Sequence, residues 1–328
     1  MHIYHDSDVD LNVLKGKKIS VLGYGAQGRA QALCFHDSGL DVTVGVRRDG
    51  KSWNKAKEDG LKTAEFADAV KGADVVMMLL PDEIQPDMYK EYVEPNLKKG
   101  AALEFAHGFA ITYKLIVPPK DVDVIMMAPK SPGDIEREVF LQGFGVPALV
   151  CVHQDATGNA KKIALALAKG LGATRGGVFE TTFDNETKTD LFGEQAVLCG
   201  GVTALIKAGF KTLVEVGGYP PEMAYFEVLH EVKLITDLIN KGGFELMWYV
   251  VSNTAEYGGL TRRDRVITAE SENGMKSILA EIESGKFKDD WRAEWKNGLV
   301  NLKKMESDER NLQLEVVGRE IRQLFERK

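Results

Sequence analysis

Lys17-Lys18-Ile19-Ser20-Val21-Leu22-Gly23-Tyr24-Gly25-Ala26-Gln27-Gly28 is a short apolar strand that runs straight into a GxGxxG turn, and a helix-compatible run from Arg29 to Asp37 follows. With a strand before it and a helix after it, this turn assigns each glycine a separate duty. Gly23 permits the tight turn, Gly25 lets the backbone approach a pyrophosphate, and Gly28 allows close packing of helix on strand. The amides at the helix start, carried by Tyr24, Ala26, Gln27 and their neighbours, then take the phosphates. The turn predicts a dinucleotide-binding domain.

The second strand, Asp41-Val42-Thr43-Val44-Gly45-Val46, bears on which dinucleotide. An NAD-preferring site ends this strand with an acid that binds the ribose 2'-hydroxyl. Here it ends in Arg47-Arg48, followed by Asp49-Gly50-Lys51-Ser52. The guanidiniums of Arg47 and Arg48, an ammonium and the Ser52 hydroxyl suit a 2'-phosphate. NADPH is therefore expected, with NADH as the alternative because Asp49 offers an acid to a ribose hydroxyl.

Further strand-helix units follow at regular intervals. Ala73 to Leu80 is a continuous apolar run, as in a parallel sheet covered on both faces, and Pro81-Asp82 closes it at the edge where cofactors sit. Ala101 to Ala106 leads to His107-Gly108-Phe109, and Val122 to Met127 leads to Ala128-Pro129-Lys130. Ligands in such sheets bind beyond the carboxyl ends of the strands. His107 and Lys130 both fall there, facing a nicotinamide or substrate, and each also reads as an ordinary loop residue.

From about Phe183 the strand signals fade and helix-compatible runs take over: Glu186 to Ala208, Pro221 to Asn240, Gly243 to Thr254, Ala269 to Glu283 and Glu309 to Arg327. The expected architecture is α/β: a Rossmann-type, doubly wound parallel sheet over residues 1–182, then an all-helical domain over 183–328. Two acidic pairs stand out in the helical half, Asp190 with Glu194 and Glu227 with Glu231. An i,i+4 spacing places each pair on one helix face, one turn apart. Apolar neighbours such as Ala196-Val197-Leu198 demand that the charges be paired or bound. Four convergent carboxylates suit a hard divalent ion such as magnesium, and two solvated helix faces are the competing reading. Gly200-Gly201 interrupts a helical pattern, where close packing by another helix is the expected reason.

The 328 residues suffice for two domains with real cores, and 44% hydrophobic with 28% charged residues is ordinary for a globular protein. A net charge of -7 without a basic block argues against a nucleic-acid surface. The amino terminus starts no secretory signal, and no apolar stretch is expected to reach the roughly 18–20 residues that span a bilayer. Cys34, Cys151 and Cys199 form no CxxC pair and are expected to be buried thiols of a cytoplasmic protein.

Taken together, the motifs strongly resemble the ketol-acid reductoisomerase family, in its shorter form, over nearly the whole chain. The resemblance rests on Gly23 to Gly28, Ala106-His107-Gly108-Phe109, Ala128-Pro129-Lys130, Glu180 to Phe183, Thr189 to Gly201, Ala224 to Glu227 with His230-Glu231, and Ser252 to Gly258. It implies a knotted helical domain and a homodimer, alone or within a dodecamer, whose subunits share active sites. It implies two magnesium ions, with Asp190 bridging both, Glu194 completing one ligand set and the partner's carboxylates at Glu227 and Glu231 holding the other ion. Ser252 would bind the substrate carboxylate, His107 and Lys130 would line the reacting oxygens, and Glu194 would also help move protons. Asp82 and Gly133 would lie on the cofactor side. The implied reaction is rearrangement of 2-acetolactate or 2-aceto-2-hydroxybutyrate and its reduction by NADPH to a 2,3-dihydroxy acid, in valine, leucine and isoleucine synthesis. The chain departs from the family pattern at Ala110, Thr112 and Asp134, and it carries an extra residue near Gly218. The competing functions are a metal-free NADP-dependent hydroxyacid dehydrogenase, which a chelator would leave untouched, and a nucleotide-sensing scaffold, which would have lost its ligands.

Overall fold

The computed structural model describes residues 2–325, so the last two residues of the helix expected over Glu309 to Arg327 lie outside the described residues. The chain divides into two compact units, Met1–Thr189 and Asp190–Lys328.

The first unit carries nine strands: β1 (Ile3–Tyr4), β2 (Lys18–Leu22), β3 (Asp41–Gly45), β4 (Lys62–Ala64), β5 (Val75–Met78), β6 (Ala102–Phe105), β7 (Asp123–Pro129), β8 (Ala148–Gln154) and β9 (Val178–Glu180). They form one sheet in the order β1-β9-β8-β7-β6-β5-β2-β3-β4. Its helices are α1 (Ala26–Asp37), α2 (Lys51–Glu58), α3 (Phe66–Val70), α4 (Gln85–Met88), α5 (Phe109–Thr112), α6 (Gly133–Leu141), α7 (Ala160–Gly170) and α8 (Ala173–Gly176). Successive side chains of a strand point to opposite faces, and both faces here are covered. Val21, Val44, Met77, Ile125 and Met127 pack in one core with Phe35 of α1 and Leu167 of α7. Leu22, Met78, Leu103, Phe105 and Met126 pack in the other, with Tyr89 and Ile111. That double burial is why the strands read as unbroken apolar runs.

The sheet is not parallel throughout, which corrects the expectation. From β4 to β7 every pair is parallel, but β8 runs antiparallel to β7, with Pro129 opposite Ala148. The cause lies in α6, which packs against α1 instead of carrying the chain back across the sheet. The next strand therefore starts at the carboxyl edge and must run the other way.

Helix α9 (Phe183–Phe192) leads from the first unit into the second. Beyond it lie α10 (Gly200–Lys211), α11 (Pro221–Tyr225), α12 (Val232–Val250), α13 (Asn253–Arg262), α14 (Ala269–Ser284), α15 (Lys286–Lys296), α16 (Val300–Arg310) and α17 (Gln313–Phe325). Three stretches between them are wound with i→i+5 hydrogen bonds: Gly193–Leu198, Thr212–Val216 and Phe226–His230. The Cys199 amide, for example, donates to the Glu194 carbonyl at 2.8 Å. This winding, not a neighbouring helix, explains Gly200-Gly201: a Cβ on either would collide with the carbonyl oxygen five residues back, of Gln195 or Ala196. The core of this unit is small, built on Phe210, Ala224, Tyr225, Leu314 and Ile321.

Two further expectations are corrected. Because α9, α10 and the widened turns join end to end, Phe183–Val216 is one 34-residue helical run whose most apolar window reaches a mean hydropathy of 1.5. By length and composition it could cross a bilayer, although only 6% of that window is buried in the chain. Cys34 and Cys151 are buried free thiols as expected, but Cys199 is exposed because it faces outward on that run.

Candidate active site

At the carboxyl edge of the sheet the chain leaves β2 into the glycine turn. Gly23 sits at φ 99°, and a Cβ there would collide with the Leu79 carbonyl just past β5. A Cβ on Gly28 would fall 2.5 Å from the Gly23 carbonyl oxygen, so the third glycine closes the turn on itself. A Cβ on Gly25 would meet nothing within 4 Å, which leaves open space above the amino end of α1. Gly133 has a packing duty as well: a Cβ would run into the Ala26 carbonyl, so the first turn of α6 rests on the first turn of α1. Gln27 Nε2 donates to the Ser131 carbonyl at 2.8 Å and fixes that approach.

Beyond β3, Arg47, Arg48 and Asp49 are exposed and Ser52 is half-buried at the head of α2. Asp49 takes a left-handed φ of 57°, which turns the chain so that the Gly50 amide donates to the Arg47 carbonyl at 3.2 Å. The Arg48 guanidinium stands 5.9 Å from the Trp53 ring centre and 3.5 Å from Glu65. Asp82 is half-buried after β5, where its Oδ1 accepts from Gln85 Nε2 at 3.3 Å.

His107 follows β6 and Lys130 follows β7, and the structure brings both to Glu186, a residue that sequence reasoning did not single out. Lys130 Nζ donates to Glu186 Oε1 at 2.8 Å. His107 Nδ1 lies 3.0 Å from Oε2, and the Gly108 amide donates to the same oxygen at 3.0 Å. The Glu186 side chain is 1% exposed. Burial pushes its carboxyl up, but hydrogen bonding and charge from His107, followed by Lys130, outweigh burial and hold it at about 2. Glu186 is thus an anion at neutral pH. An ionised carboxylate only accepts, so the Nδ1 proton of His107 points at it and the ring orientation is fixed.

The missed signal was the same spacing carried one turn further back. Glu186, Asp190 and Glu194 stand at i, i+4 and i+8 along one helical run. Asp190 lies in the last turn of α9, and Glu194 is the second residue of the first widened turn, where it is half-buried. Glu227 lies within another widened turn and Glu231 directly follows it, and both are exposed. Among the described residues they join no cluster of three or more potential metal ligands. Ser252 caps α13, its hydroxyl accepting from the Ala255 amide at 3.2 Å. Hard carboxylate oxygens at Asp190 and Glu194, with no soft thiolate among them, are the donor type that magnesium takes.

Residues 13–177 match the family model "Acetohydroxy acid isomeroreductase, NADPH-binding domain", and residues 183–327 match "Ketol-acid reductoisomerase, C-terminal domain". The chain is 55% identical over 324 residues to the "Ketol-acid reductoisomerase (NADP(+))" of Methanococcus maripaludis, covering 99% of this chain and 98% of that one. It is 54% identical over 322 residues to the enzyme of the same name from Methanocaldococcus jannaschii, covering 98% and 97%. A solved structure of an NADH-preferring ketol-acid reductoisomerase from an uncultured archaeon superposes with a TM-score of 0.96 at 50% identity, covering all of both chains.

Proposed function

This chain belongs to the ketol-acid reductoisomerase family, and from that premise we propose how its own residues serve an NADP-dependent oxidoreductase of branched-chain amino-acid synthesis. The substrate is 2-acetolactate or 2-aceto-2-hydroxybutyrate. Its tertiary alcohol loses a proton, the alkyl group moves to the neighbouring ketone carbon, whose oxygen takes that proton up, and the new ketone receives a hydride from NADPH and a second proton from solvent through the site. The products are NADP+ and a 2,3-dihydroxy acid.

The observation that carries this reading is the anchoring of His107 and Lys130 on one buried, ionised carboxylate, Glu186. It sets a cation and an oriented imidazole at the sheet edge where hydride chemistry takes place. Lys130 offsets negative charge on the reacting oxygens, and His107 holds a proton in a fixed direction. Asp190 and Glu194 follow on the next turns of the same run and would hold magnesium. Bound magnesium supplies the Lewis acidity that makes the alcohol acidic and the ketone electrophilic. Glu194 would also serve proton movement, and Ser252 at its helix start would take the substrate carboxylate. Gly23 to Gly28, Asp82 and Gly133 frame the cofactor. Arg47, Arg48 and Ser52 favour the 2'-phosphate of NADPH, with NADH the alternative.

Glu227 and Glu231 are assigned to the site of a second copy. Two facts support a shared site: their exposure, and the small core of the helical unit beside exposed Leu205, Met223, Phe244, Tyr249 and Tyr257. Apolar surface on that scale calls for a covering partner. The run Phe183–Val216, which carries Asp190 and Glu194, is assigned to that same protein contact and not to a bilayer. An interlocked, knotted helical dimer, alone or within a dodecamer, and a cytoplasmic setting suited to three free cysteines belong to the same proposal. Co-expression of inactive Asp190→Asn and Glu227→Gln chains tests it. Mixed dimers should regain activity because one site keeps an unaltered ligand set. Mixed dimers as dead as either parent would refute the sharing.

A further inference from the structure

Asp59, the cap residue at the end of α2, gathers groups from three elements. Its Oδ2 accepts from the Tyr24 hydroxyl at 2.9 Å and from Arg29 Nε at 2.7 Å, and its Oδ1 accepts from a second Arg29 nitrogen at 3.1 Å. Lys55 lies 3.4 Å away. Tyr24 is the middle residue of Gly23-Tyr24-Gly25, and its ring is buried in the core. Arg29 stands one turn into α1, its amide bonded to the Gly25 carbonyl at 2.9 Å. At its other end α2 carries Trp53, packed under Arg48 at 5.9 Å and Lys57 at 5.1 Å. The α2 helix is only eight residues long, about 12 Å at 1.5 Å per residue. A tilt at Asp59 therefore moves the head of the helix, where the arginines and Ser52 sit.

We propose that Asp59 is a positioning residue for the dinucleotide: it clamps the pyrophosphate turn to α2 and so sets the distance between that turn and the loop facing the 2'-phosphate. A forked arginine-carboxylate pair holds direction as well as distance, and the Asp59 carboxyl, held at about 2 chiefly by its bonds to Arg29, keeps its charge at neutral pH. The inference rests on the dinucleotide reading above, so titration of the unaltered protein with NADPH comes first. No binding there would fail that reading, not this one.

Asp59→Asn and, independently, Tyr24→Phe are then titrated with NADPH and NADH, alongside thermal melts and steady-state kinetics. The expected result is an NADPH Kd about tenfold higher in Asp59→Asn, a smaller rise for NADH, and a raised KM for NADPH with kcat at saturation retained. If Asp59→Asn does not fold, Arg29→Lys, which keeps the charge and loses the fork, should give the same pattern. A lower melting temperature with both affinities unchanged would make Asp59 a structural brace and overturn the proposal.

Discussion

Replacing Glu186 with glutamine removes the charge that His107 and Lys130 share while keeping the size of the side chain. The magnitude follows from the displaced carboxyl. Its ordinary value of 4.5 falls to about 2 in the folded chain, which corresponds to roughly 3 kcal/mol of stabilisation. A depressed acid contributes above its unfolded value and loses the contribution as pH falls through the folded one. The gap between the wild type and Glu186→Gln should therefore be about 3 kcal/mol at pH 7, about half of that near pH 3, and close to zero below pH 2. Urea denaturation of both proteins across that range reads it directly. The same change should cut kcat by about 100-fold or more, because His107 loses the acceptor that fixes its ring. A stability gap that does not change between pH 7 and pH 3 would refute the claim that Glu186 is ionised and paired.

Glu104, fully buried in β6 with the Met127 amide as its one hydrogen-bond partner among the described residues, is pushed up by burial to about 8. A raised acid weakens the fold as pH rises from about 4.5 towards 8, so Glu104→Gln should gain up to about 4 kcal/mol over the wild type at pH 8 and under about 1 kcal/mol at pH 5; denaturation at the two pH values checks this. Gly200→Ala collides with the Gln195 carbonyl and should force the widened turn back to α winding, rotating α10 by about 100° relative to α9. Magnesium titration should show affinity lowered by about tenfold, with NADPH affinity unchanged.

The glycine turn was the most legible part of the chain, because Gly23 and Gly28 are required by contacts within a few residues of sequence and by one neighbouring strand end. Buried strands such as β5 and β7 were legible for the same reason that they are buried, since cover on both faces demands continuous apolar residues. The reversal at β8 was hidden because an apolar strand reads alike in either direction, and its direction depends on where α6 packs. Glu186 escaped notice because its partners come from loops 56 and 79 residues away. Only its place one turn before Asp190 hinted at it. The widened turns were invisible to an α-helical period, yet Gly200-Gly201 marked one of them.

Whether this chain carries out the magnesium-dependent rearrangement and reduction is read by supplying 2-acetolactate and magnesium together with NADPH, and following loss of NADPH absorbance alongside formation of the 2,3-dihydroxy acid. Cofactor and product should change in equal amounts, a chelator should stop both, and Asp190→Asn should abolish both. No oxidation of NADPH or of NADH, or turnover indifferent to the chelator, would contradict that reaction.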